Sequence, residues 1–138
     1  SENSIFGQNG PRVGSPAGGA IVAHSANILG HKRAREMWMT CKRYSATEMM
    51  NWGLVNSVVK KEKLADEVKK YGDEILKAAP TCLKILKASF RKQFDEILKI
   101  TQKSMVEEVS PEYFKTGEQA EGAKAFLEKR KPNFKKFR

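Results

Sequence analysis

SIFGQNGPRVGSPAGG, residues 4–19, decides how this chain is read. A short β-type run, Ser4-Ile5-Phe6, enters a loop with glycines at 7, 10, 14, 18 and 19 and prolines at 11 and 16. Glycine takes backbone dihedrals that other residues avoid and lets a backbone approach its neighbour closely, while proline stiffens the path between. Ordering such a loop costs conformational entropy that some interaction must offset. Its polar side chains are few: Gln8, Asn9, Arg12 and Ser15. On composition alone the stretch is equally a strand followed by a multi-turn connector.

Outward from the loop, Ala20 to Leu29 is an apolar helical segment with Gly30 as its terminator. A second helix is predicted from about His31 to Cys41, where Ala34, Met37, Trp38 and Cys41 fall at i, i+3, i+4 and i+7. Ser45 followed by Glu48 is the capping-box pattern of a short third helix ending at Gly53. Leu54 to Val59 (LVNSVV) is the second predicted strand. Lys60 to Ala79 then gives an amphipathic helix with Leu64, Val68, Tyr71, Ile75, Leu76 and Ala79 inward. Pro80 restarts the chain into a helix from Thr81 to Gln93, carrying Leu83, Leu86 and Phe90. Another runs from Phe94 to Val109, with Ile97, Leu98, Thr101 and Met105 on one side. Ser110-Pro111 breaks it, and a last helix from Thr116 to about Lys131 leads into the basic tail PNFKKFR.

Two short strands cannot make a self-sufficient sheet. Several helices also carry apolar faces without an obvious partner in so short a chain. The expectation is therefore a piece that packs onto other subunits or belongs to something longer.

The totals narrow the classes. The 138 residues are one domain's worth of chain, and 40% hydrophobic content excludes disorder by composition. No apolar run approaches the roughly 20 residues of a membrane span, and Ser1-Glu2-Asn3 does not open a signal peptide, so a cytoplasmic protein is expected. The net charge of +10, from 26 Lys and Arg against 16 Asp and Glu, favours an anionic partner: nucleic acid or a phosphate-bearing small molecule. Against nucleic acid, the lysines are spread over many helices and no recognition motif is present. Cys41 and Cys82 are expected as buried thiols, and His24 and His31 do not suffice for a histidine metal cluster, so no metal is expected.

Three motifs carry a family resemblance: FGQNGPRVGS, then LGHKRAREMWMTCKRYSATEMMNWGLVNSVV, then EGAKAFLEKRKPNF. In this order and spacing the chain resembles the C-terminal half of a crotonase-superfamily (enoyl-CoA hydratase/isomerase) enzyme. Within that superfamily it is most similar to the 1,4-dihydroxy-2-naphthoyl-CoA synthases of menaquinone biosynthesis, which are lyases, and to ring-opening 2-ketocyclohexanecarboxyl-CoA hydrolases. The resemblance implies an α/β fold, the C-terminal part of a crotonase (ClpP-like) ββα spiral, mostly helical here with two short strands. Residues 1–59 would close the spiral core with its active-site loop, and residues 60–138 would form a helical oligomerisation region, assembling as a trimer or hexamer.

The implied chemistry is stabilisation of a thioester enolate by two backbone N–H groups, which the resemblance places upstream of Ser1. An oligomerising remnant without catalysis is the expectation if that part is absent. Gly10 stands where hydratases carry a catalytic glutamate, which disfavours acid/base addition of water. In the similar synthases this glycine makes room for bicarbonate, to be held here by Gln8, the Gly10 N–H and Trp38; from periodicity alone Gln8 caps the loop and Trp38 is core. Ser15 matches a substrate-binding serine, although a serine in a Gly/Pro loop is commonly a turn residue. Two positions depart from the synthases: an expected aspartate is Ala17, and the catalytic tyrosine aligns with Phe114, leaving the adjacent Tyr113 as the candidate. Phe126, Lys129 and Arg130, on one face of the last helix, match positions that receive the adenine and 3′-phosphate of CoA; on periodicity alone they are a solvated charge run with one anchoring Phe.

Overall fold

A computed structural model of the chain describes residues 1–101 and 105–138. The first half is organised by a helical hairpin. Helix α1 (Ala20–Leu29) stops at Gly30, whose φ of 77° a side chain would resist, and the same residue opens α2 (His31–Thr40). The two helices pack together, and Cys41 ends α2 in the left-handed region at φ 50°. The hairpin returns the chain to its start, so that β1 (Ile5–Gly7) pairs antiparallel with β2 (Arg43–Ser45), Phe6 opposite Tyr44.

The second strand therefore lies at Arg43–Ser45, not at Leu54–Val59. The LVNSVV run forms no strand: Leu54 and Val55 pack against the core, and the Leu54 N–H bonds the Met49 carbonyl. Its apolar character serves burial, whereas strand pairing is decided by which segment the fold brings alongside.

Helix α3 (Ala46–Asn51) starts with the expected capping box. Ser45 Oγ accepts from the Glu48 N–H at 3.2 Å, and Glu48 Oε2 accepts from the Ser45 N–H at 2.7 Å, an arrangement that contributes about 1 kcal/mol. Ala26, Leu29, Ala34, Met37, Tyr44 and Met49 form the core, with Phe6, Trp52, Leu54 and Val55 packed against it. All of these lie within residues 1–59.

Beyond a 3₁₀ turn at Lys61–Lys63 come α4 (Leu64–Leu76) and α5 (Pro80–Ile100). The expected break between Gln93 and Phe94 is absent, because no glycine or proline stands there to stop a helix. Of the helix expected over Phe94 to Val109, residues 102–104 lie outside the described residues, and α6 (Met105–Val109) is its end. The last expected helix is two: α7 (Tyr113–Thr116) and α8 (Glu118–Leu127), divided at Gly117 with φ 84°. A 3₁₀ turn at Phe134–Phe137 closes the chain.

The residues assigned to the inward face of α4 are exposed: Leu64, Val68, Tyr71, Ile75 and Leu76, as are Leu86 and Phe90 on α5. Their helical periodicity is real, but among the described residues no layer covers them. Cys41 is buried, whereas Cys82, in the first turn of α5, is exposed. Among the described residues no helix is long and apolar enough to cross a membrane.

Candidate active site

The glycine-rich loop is shaped by its own backbone. After β1, a 3₁₀ turn at Pro11–Val13 is closed by Val13 and Ser15 N–H groups donating to the Gly10 carbonyl at 3.0 and 2.9 Å. Gly14, at φ 65°, reverses the path, and the segment from Pro16 to Gly19 runs to the start of α1. Helix α8 presses on this turn. A Cβ on Gly14 would meet the Glu118 carbonyl at 2.5 Å, and one on Gly122 would collide with the Val13 carbonyl and approach Gly14 N to 2.8 Å. Two glycines thus permit backbone-to-backbone contact between a loop and a helix about a hundred residues apart.

Tyr113 fastens the same turn from the other side. Its hydroxyl donates to the Gly14 carbonyl, and its ring stacks edge-on with Phe114 at 5.3 Å. Burial, with the nearby Glu118 carboxylate, raises the phenol above its ordinary pKa, so it stays protonated at neutral pH. Phe114 itself is 65% exposed. Tyr113 also lines a cavity of about 530 Å³, between the loop (Pro16 to Gly19) and Leu98, Thr101, Met105, Val106 and Val109. Among the described residues of that lining, Tyr113 is the one ionisable side chain. Ala17 lies in the apolar wall, and the exposed Ser15 sits between Gly14 and the first lining residue, Pro16.

The residues expected to hold bicarbonate do not converge. Gln8 lines a cleft with Cys41, Lys42 and Arg43, whereas Trp38 lines a separate cavity against α1. The Trp38 indole N–H is donated to Ser25 Oγ at 2.8 Å, and Ser25 Oγ in turn bonds the Val22 carbonyl. A Cβ on Gly10 would meet the Ser15 carbonyl at 2.9 Å, so the space beside Gly10 is taken by the loop itself. The side chains present do not fit the ion.

The triad expected for the CoA nucleotide is also divided. Helix α8 ends at Leu127, Lys129 sits at φ 53°, and so Phe126, Lys129 and Arg130 do not share a helical face. Phe126 is 72% exposed, but the Arg130 fork is occupied: Nη1 and Nη2 bond Glu121 Oε1 and Oε2 at 2.7 and 3.2 Å, and Nε bonds Glu128 at 2.6 Å. Sequence reasoning missed this clasp. Its signal was a carboxylate on the buried side of α8, nine residues before Arg130.

Glu121 holds the tail down. It also accepts from the Asn133 N–H at 2.8 Å, with Lys136 at 3.6 Å. The Arg130 bonds, then the Asn133 N–H, bring its carboxyl from an ordinary 4.5 to about 2. A lowered folded-state pKa gives stability that is present above the unfolded value and is lost as pH falls through the folded one. Glu121→Gln is therefore expected to be less stable than the wild type at about pH 6, with the gap narrowing below about pH 4.5 and closing near pH 2. Urea midpoints across that range check it; parallel curves would refute it.

The fold and this loop define a family. The sequence model of the enoyl-CoA hydratase/isomerase family matches residues 1–137, and the chain belongs to that family. Solved structures share its fold. A methylmalonyl-CoA decarboxylase in complex with 2-nitronate-propionyl-CoA is similar at a TM-score of 0.76 and 24% identity, covering 96% of this chain and 52% of that one. An enoyl-CoA hydratase from Mycobacterium avium subsp. paratuberculosis is similar at 0.72 and 28%, covering 96% and 54%. An enoyl-CoA hydratase subunit I from Geobacillus kaustophilus is similar at 0.61 and 30%, covering 98% and 52%. The chain spans about half the length of these proteins, and its mostly helical architecture with a two-stranded sheet matches that part of the crotonase fold.

Proposed function

We propose that this chain binds an acyl-CoA thioester and takes part in enolate chemistry on it, with the acyl group in the cavity that Tyr113 lines. The observation that carries this reading is the pairing of that apolar cavity with a single protonated phenol fixed to the glycine loop. Pockets of roughly 300–1,000 Å³ with few convergent polar groups are the usual form of a small-molecule site. The CoA ligand named for the decarboxylase above supports the same class of substrate.

Enolate chemistry needs donors for the thioester oxygen, a base for the α-proton and an acid for the product. Tyr113 suits the acid. In a ring closure of the naphthoyl-CoA synthase type, the enolate carbon attacks a second carbonyl of the same molecule, and the phenol protonates the oxygen that becomes hydroxyl. Resemblance over the three motifs favours this reaction. Ala17 in the cavity wall favours the ring-opening hydrolase as a second reading, since the synthase-type carboxylate is replaced there by a methyl group. In that direction water adds to the ring ketone, the ring C–C bond breaks to leave a carboxylate and the thioester enolate, and the same phenol returns a proton to the enolate carbon. Gly10 and Ser15 then serve as loop-shaping and rim residues.

The nucleotide would lie along Phe126 and Lys129, with Gln8 and Trp38 remaining structural and Arg130 acting through Glu121. Residues 1–59 would be the end of the spiral core and 60–138 the oligomerisation region, for which the exposed apolar faces of α4 and α5 are the support.

Titration calorimetry on the full chain tests the class. Benzoyl-CoA is expected to bind with a dissociation constant within the roughly micromolar-to-millimolar range typical of enzyme substrates, and more tightly than free CoA. No binding, or salt-labile binding matched by duplex DNA, would overturn the reading. Turnover of o-succinylbenzoyl-CoA selects the synthase, and turnover of 2-ketocyclohexanecarboxyl-CoA the hydrolase.

A further inference from the structure

Two apolar cavities share one wall. The first, of about 530 Å³, is the one Tyr113 lines; the second, of about 430 Å³, lies against α1 and α2 and is lined by Val22, Ala23, Ala26, Ala34 and Trp38 among others. Ala17, Gly18, Gly19, Thr101 and Met105 line both. Among the described residues of this wall, four of the five are small, and Met105 carries the long side chain. It rests directly on the loop: a Cβ on Gly18 would lie 2.8 Å from Met105 Cβ and 2.9 Å from Cγ. The absence of a side chain at Gly18 is what allows that seat.

We propose that Met105 is the partition that limits acyl size, confining the acyl group of a bound thioester to the first cavity. An unbranched thioether side chain with three rotatable bonds is suited to closing an irregular gap without strain. Shortened, it leaves the small residues Ala17, Gly18, Gly19 and Thr101 between the spaces among the described residues, and a longer acyl group reaches toward Trp38. Val22, Ala23, Ala26, Ala34 and the ring of Trp38, whose N–H is already bonded to Ser25, offer hydrocarbon surface in that second space, and His31, Arg35 and Met39 complete its lining. This inference rests on the acyl-CoA reading above and adds the residue that sets the size of the acyl group.

The test compares wild type, Met105→Ala and Met105→Leu for binding of free CoA, propionyl-CoA and decanoyl-CoA by calorimetry. Wild type is expected to bind both thioesters more tightly than free CoA. Met105→Ala is expected to shift the decanoyl-to-propionyl affinity ratio by roughly tenfold or more, the contribution of a few newly buried methylenes. Free CoA should bind both alike, and Met105→Leu, of similar volume, should keep the wild-type ratio. Met105→Val takes the place of the alanine variant if that one does not fold, with a smaller shift in the same direction. An unchanged ratio, with all three ligands still bound, overturns the partition and leaves the acyl-CoA reading standing. Absence of binding for CoA and both thioesters overturns the two together.

Discussion

Replacing Gly122 with alanine is expected to destabilise the protein by about 2 kcal/mol or more, the range of overpacking in a closed interior. Propensity argues the other way, since alanine is favoured over glycine within a helix by about 1 kcal/mol. Two magnitudes compete, and the geometry decides between them. The added methyl would overlap the Val13 carbonyl and lie 2.8 Å from Gly14 N, and both are backbone atoms that no rotamer change can move. Relief requires α8 to lift from the loop, which also strains the bond from Tyr113 to the Gly14 carbonyl.

Gly72 is the control. It too lies inside a helix, α4, but a Cβ there would meet nothing within 4 Å. Gly72→Ala is expected to stabilise by about 0.5–1 kcal/mol. Urea denaturation of both variants settles the matter: two substitutions of the same chemistry should move the midpoint in opposite directions. If Gly122→Ala is neutral or stabilising, the close approach of α8 to the glycine loop is refuted.

That contrast shows what could be read from the chain and what could not. Helix α1 was legible to the residue, because an apolar run between Gly19 and Gly30 carries its own ends. The capping box at Ser45 and Glu48 was legible for the same reason, as all its bonds lie within four residues. β2 was not, because strand identity depends on the α1–α2 hairpin returning Arg43–Ser45 to β1. Nor was the clasp: Arg130 looks free in a run of lysines, and only the end of α8 at Leu127 turns its guanidinium toward Glu121. The division of Gln8 from Trp38 was hidden too, since the resemblance implies that both hold one ion while the partner of the indole N–H, Ser25, is silent in any motif. Local chemistry set the elements; long-range contacts set the site.

Tyr113 was visible only as the neighbour of Phe114, the position at which the resemblance aligns a catalytic tyrosine. The fold sends Tyr113 to the loop and leaves Phe114 outward, so the two should behave oppositely. Under the proposed function, Tyr113→Phe is expected to lower kcat by roughly 10²–10⁴-fold, the usual contribution of a positioned general acid. Losing the bond to Gly14 should cost only about 1 kcal/mol of stability. A merely structural tyrosine would give the second effect without the first.

The pH profile separates them further. Burial raises the phenol above its ordinary value, so wild-type kcat should hold through neutral pH and fall only on an alkaline limb above about 10, as the acid is lost. The variant should lack that limb. Adding Phe114→Tyr to Tyr113→Phe should not rescue turnover, because a hydroxyl at that position points away from the cavity. Full-rate turnover by Tyr113→Phe, or rescue through position 114, would move the proton donor off the glycine loop and leave the cavity without an acid.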